Sequence, residues 1–165
     1  MPRPVPLCVL LGAALTGCTP SPAPTVVRAV VTGVTVEALP LDRQWDGAVS
    51  TDPPDVYVDL TVLGGDGPLA FDETFVRTAV AENATAADLP LRLAVGETAQ
   101  PLPLRSPLRL SVADRDMGGL DTDDELFHDG PFRLAARVAD GRPGDTRTLV
   151  FGDGGTRVRV TVRWE

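Results

Sequence analysis

The stretch RVRVTVRW, residues 157–164, decides how the rest of the chain is read. Val158, Val160, Val162 and Trp164 alternate with Arg157, Arg159, Thr161 and Arg163. A period of two puts the apolar set on one face of a strand and the charged set on the other, so the pattern specifies a strand with one face in a core. The preceding FGDGGT, residues 151–156, is turn chemistry, and Leu149 and Val150 before it are expected to pair back as a hairpin. Two more segments repeat the pattern: Val56, Val58, Leu60 and Val62, then Leu108, Leu110 and Val112. Further strands are expected over Val26 to Val36, Thr74 to Ala81, Leu89 to Val95 and Phe132 to Val138. No twelve-residue window keeps helical periodicity clear of Pro or Gly. About eight strands in a chain of this size imply an all-β fold, an antiparallel β-sandwich of two packed sheets.

The composition narrows what such a body does. With 165 residues the chain is long enough for one domain, and 43% apolar residues suffice for one core. Acidic residues outnumber basic ones, 23 to 15, for a formal net charge of −8. That excess argues against general nucleic-acid binding, which needs cations to neutralise phosphates. Every basic residue is Arg, so Lys chemistry is absent, and the single His128 excludes a multi-histidine metal site. The two cysteines, Cys8 and Cys18, form no disulfide framework.

Residues 1–18 read as an address. Arg3 precedes an apolar run from about Val5 to Leu15, and small residues follow. The run is shorter than the about 20 apolar residues that a bilayer-spanning helix needs. The ending Leu15-Thr16-Gly17-Cys18 resembles the bacterial lipobox. That resemblance implies cleavage before Cys18, acylation of its thiol with chains of the palmitate class, and anchorage to a membrane. Two or more acyl chains anchor stably. Thr19 is not Asp, which in a two-membrane cell implies the outer membrane, with the protein facing the periplasm. Processing removes Arg3 and no acidic residue, taking the formal charge from −8 to −9. Residues 19–25 are then a Pro/Ser tether, and 26–165 the folded domain.

The acids gather in two places. Asp42, Asp46, Asp52 and Asp55 precede the strand at Val56; Asp114, Asp116, Asp121, Asp123, Asp124 and Glu125 follow the strand ending near Ala113. Carboxylates held close repel one another, so such a cluster is either well solvated or neutralised by a cation. Oxygen ligands without His or Cys suit Ca²⁺. An EF-hand does not fit: Gly118 stands at its fifth position, and a strand rather than a helix precedes the loop.

The order of elements carries a further likeness. Ala38-Leu39-Pro40 followed by Asp55-Val56-Tyr57-Val58, then Thr78-Ala79-Val80 with Asn83-Ala84-Thr85, then Leu108 to Asp116 with its Asp-x-Asp, resembles the C2 domain, a calcium-dependent phospholipid-binding sandwich. The chain has Val56 where that family has Pro, and lacks the family's Asn-Pro-x-Trp element. The resemblance implies Ca²⁺ held between two loops by Asp46, Asp55, Asp114, Asp116 and Asp124, with Asp42, Asp121 and Asp123 as rivals. It also implies apolar loop tips entering lipid, for which Trp45, Val49, Met117 and Leu120 are the candidates; packing of Trp45 and Leu120 against the sandwich end is the other reading. The expected partners are the membrane, through the anchor, and anionic phospholipid or an envelope protein. No nucleophile motif accompanies His128 and Asp129, so the chain is expected not to be an enzyme. The outward Arg157, Arg159 and Arg163 read either as a surface for anionic headgroups or as an ordinary charged strand face.

Overall fold

A computed structural model describes Val26 and residues 28–41, 52–64, 71–115, 124–137 and 141–165. Nine strands run through these segments: β1 Arg28–Ala38, β2 Val56–Val62, β3 Glu73–Arg77, β4 Leu91–Leu93, β5 Leu102–Pro103, β6 Leu108–Asp114, β7 Asp124–Phe132, β8 Thr146–Phe151 and β9 Arg157–Trp164. They form two antiparallel sheets. One has the order β4-β1-β9-β8, with β5 also on β1; the other has the order β3-β2-β6-β7. The all-β sandwich expected from the alternation is the observed architecture. Among the described residues no helix is long and apolar enough to cross a membrane.

The alternation in the last strand becomes burial. Val158, Val160, Val162 and Trp164 are 0–1% exposed, while Arg157, Arg159 and Arg163 face solvent. β8 and β9 pair in the expected hairpin, with Leu149 opposite Val160 and Phe151 opposite Val158. From the other sheet, Val56, Val58, Leu60, Leu108, Leu110 and Val112 close the core. Gly152 makes the hairpin turn possible. Its φ is +142°, and a Cβ there would collide with the Thr156 carbonyl oxygen.

β5 answers to no expected strand, β3 and β4 are shorter than the expected 74–81 and 89–95, and three further departures change the reading. β1 spans 28–38 rather than 26–36 and changes parity at a bulge between Val31 and Gly33, so Ala29 and Val31 face the core before it and Val34 and Val36 after it. Residues 134–137 form a 3₁₀ turn, not part of a strand over 132–138; Leu134 alone is plugged into the core there. The strand of that region is instead β7, at the sheet edge and half exposed along its length. Gly130 and Pro131 sit in it beside a register shift, which only an edge strand tolerates.

Candidate functional site

Two ladders set the geometry of the acidic residues. β2 pairs with β6 so that Val56 faces Asp114, and β6 pairs with β7 so that Asp114 faces Asp124. Asp55 immediately precedes β2, so Asp55, Asp114 and Asp124 stand at three neighbouring strand ends of one sheet. The Thr78–Val95 bridge joins the two sheets along their other edge. Following β4 from Val95 back to Leu91, opposite Val36, and β2 from Val58 back to Val56, leads to one pole. The β1–β2 and β6–β7 connections therefore both depart from that pole. Asp46 and Asp116, their rivals Asp42, Asp121 and Asp123, the apolar tips Trp45, Val49, Met117 and Leu120, and Cys18 lie outside the described residues.

The described carboxylates already work within the fold. Asp114 is 3% exposed, and its Oδ1 accepts the Asp55 backbone N–H at 2.6 Å. The Asp55 Oδ1 in turn accepts the Asn83 N–H at 2.8 Å. That bond holds a turn in which Asn83 adopts a φ of +51°. Asn is one of the few non-glycine residues that take this conformation readily. The Arg115 N–H donates to the Asp55 carbonyl at 3.0 Å. Its guanidinium lies 3.6 Å from both Asp55 Oδ2 and Glu82 Oε1, a fixed positive charge among the acids. Asp124 is exposed. Among the described residues no three His, Cys, Asp or Glu side chains are grouped so as to hold a metal ion. Asp46 and Asp116, two of the five expected ligands, are not in that set.

The sequence did not disclose Arg115 and Asn83 as partners of Asp55, nor Glu82 as a partner of Arg115. Each is remote from it in the chain or hidden as the middle residue of Asp-x-Asp, and only the strand register brings them together. His128 also finds a different neighbour from the adjacent Asp129. Its Nδ1 is 2.7 Å from Glu125 Oε1, while the Ser111 hydroxyl donates to Glu125 Oε2 at 3.1 Å. Ser111 thus meets a carboxylate rather than the imidazole, so this trio lacks the hydroxyl-to-imidazole contact that activates a nucleophile. On the same outer face Arg77 clamps the buried Asp59 through two bonds of 2.9 and 2.6 Å and covers the Tyr57 ring at 4.8 Å. A shallow cleft of about 410 Å³ opens between β7 and the β8–β9 turn, with Asp129, Phe151, Asp153 and Arg157 in its lining.

Compared with known proteins, the chain matches no protein-family model, and no curated protein matches it.

Proposed function

We propose that the chain is a non-enzymatic envelope lipoprotein, anchored through Cys18, whose C2-like sandwich binds Ca²⁺ at its acidic pole and docks there to phospholipid or to a protein partner. The observation that supports this reading is the shared departure point of the two acid-bearing connections, with Asp55, Asp114 and Asp124 at adjacent strand ends. Asp46 and Asp116 would complete the shell from residues 42–51 and 116–123. Ca²⁺ takes six to eight oxygens, a number that carboxylates drawn from both connections can supply. A cation there would also relieve repulsion among carboxylates. Few neutral ligands favour a weak site, with Kd about 10⁻⁴ to 10⁻³ M.

A second reading is a metal-free adaptor, in which the same acids are internal ties. It is favoured by the chain of bonds from Asp114 through Asp55 to Asn83 and by the Arg115 guanidinium beside Asp55. Thermal melting of the full chain separates the two. At about 10 mM Ca²⁺, a Kd in the range above stabilises by about 1.4–2.7 kcal/mol, a shift of several °C that equimolar Mg²⁺ should not reproduce. An unchanged melting temperature favours the adaptor. The anchor is tested separately: Cys18→Ser should abolish fatty-acid labelling and release the protein from the membrane fraction, and a variant still labelled and retained would refute lipidation.

A further inference from the structure

The outer face of the β4-β1-β9-β8 sheet carries the opposite charge to the protein as a whole, and we propose that this face lies against an anionic phospholipid surface. Arg157, Arg159 and Arg163 project from β9, Arg28 from β1 and Arg92 from β4. Among the described residues two carboxylates oppose them, each shared. Glu37 meets Arg157 at 3.0 Å and Arg159 at 2.5 Å. Glu165 meets Arg28 at 3.1 Å and Arg163 at 2.8 Å. Arg92 has no ion-pair partner among the described residues. Five guanidinium groups against two carboxylates leave a side-chain charge of +3 on a chain whose formal net charge is −8.

The other sheet shows that this is not a general property of the molecule. Its outer face sets Arg77 against Asp59 and Arg109 against Asp72, with Glu125 beside Ser111, so that among the described residues acids outnumber guanidinium groups there by one. Between the arginines Gly33, Thr161 and Thr148 lie side by side across three strands, and Val150 stands exposed opposite Arg159.

Charge complementarity selects the occupant. At physiological ionic strength the screening length is about 8 Å, while packed sheets stand about 10 Å apart. A surface against the basic face therefore feels the +3, and the acids beyond the opposite sheet are largely screened. The tether brings the two together. Arg28 is ten residues past Cys18, a span of at most about 35 Å when extended, and Arg28 with Arg163 stands at the end where the chain enters the sandwich. This deepens the anchored reading proposed above: the basic face meets the bilayer, and the acidic pole is left for the cation and a partner.

The test uses full-length chain carrying Cys18→Ser, which cannot be acylated, in EDTA so that no calcium bridge contributes. It is sedimented with vesicles of phosphatidylcholine alone or mixed with phosphatidylglycerol. The expected result is retention by the phosphatidylglycerol vesicles only, lost at roughly 0.5 M NaCl, where the screening length shrinks to about 4 Å. Arg159→Gln with Arg163→Gln should weaken retention about 25-fold, roughly fivefold for each cation removed. Arg159→Lys with Arg163→Lys should preserve it, and Arg109→Gln on β6 with Arg133→Gln, which directly follows β7, should change it less than about twofold. Equal retention by both vesicle types, insensitivity to salt, or an equal loss in the Arg109 and Arg133 pair would overturn the proposal. The salt and lipid comparison on the Cys18→Ser chain decides the matter even if the Gln pair fails to fold. Failure here leaves the anchor and the calcium site standing, because fractionation and cation titration test those independently.

Discussion

Removal of the Asp114 carboxylate should loosen the acidic pole by an amount that the geometry sets. Asp114 is 3% exposed and accepts the Asp55 N–H at 2.6 Å. Asp114→Ala strands that donor in a partly buried place. A hydrogen bond to a charged group contributes about 1.5–3 kcal/mol. The loss should spread, because Asp55 also holds the Asn83 turn through its own carboxylate, so the expected cost is about 2–3 kcal/mol. Asp114→Asn keeps an oxygen that can accept the same N–H without the charge, and should cost about 1 kcal/mol. For a domain of this size 1 kcal/mol corresponds to about 3–4 °C in Tm. Urea unfolding of both variants in EDTA measures the difference directly. The reasoning fails if Asn matches or exceeds the native chain in stability and Ala is no worse than Asn. That outcome would mean that repulsion from neighbouring acids, rather than the bond to Asp55, dominates at Asp114.

Other expectations follow from the same packing. Trp164 is 0% exposed between the sheets, so Trp164→Ala should cost about 3–5 kcal/mol in chemical denaturation; a loss under about 1 kcal/mol would contradict the core described. Gly152→Ala forces a Cβ onto the Thr156 carbonyl at a φ of +142°. It should destabilise the β8–β9 hairpin by about 1–3 kcal/mol, read by thermal melting, and an unchanged Tm would refute that account of the turn. Among the described residues, the Asp88 carboxyl is held below its ordinary value chiefly because the Thr85 hydroxyl donates to it, and that of Glu165 chiefly because the Arg163 guanidinium donates to it. A depressed folded value gives stability that is fully present above the unfolded values of 3.8 and 4.5 and is lost as pH falls through the folded ones. Urea midpoints should therefore drop on acidification below about pH 4, and Thr85→Val with Arg163→Gln should flatten that drop; an unaltered profile would count against both contacts.

What the sequence made legible depended on burial of one face only. β9 was plain because every second residue is in the core, and β6 because Leu108, Leu110 and Val112 sit in a central strand with neighbours on both sides. β7 was hidden for the converse reason. DELFHDGPF is an edge strand, half exposed on both faces, and carries Gly130 and Pro131, which in a central strand would argue against the assignment. The apolar residues Phe132 and Leu134 imitated the start of a strand, yet the backbone turns there, burying Leu134 fully and Phe132 in part. The bulge in β1 changed parity mid-strand, which simple alternation does not encode. At the pole, the positions of Asp55 and Asp114 at strand ends were readable from the alternation that stops beside them, whereas Asp124, at the start of the hidden β7, was read only as a loop acid. Their hydrogen-bond partners were not readable, because Asn83 and Arg115 meet Asp55 only through tertiary register.

The most direct test of the account is calorimetric titration of Ca²⁺ into the full chain, run beside a chain carrying Asp114→Asn and Asp116→Asn. The account predicts saturable heat with Kd about 10⁻⁴ to 10⁻³ M in the native chain and none in the double variant. An absence of heat from the native chain at several times that concentration, or undiminished binding by the double variant, would contradict it.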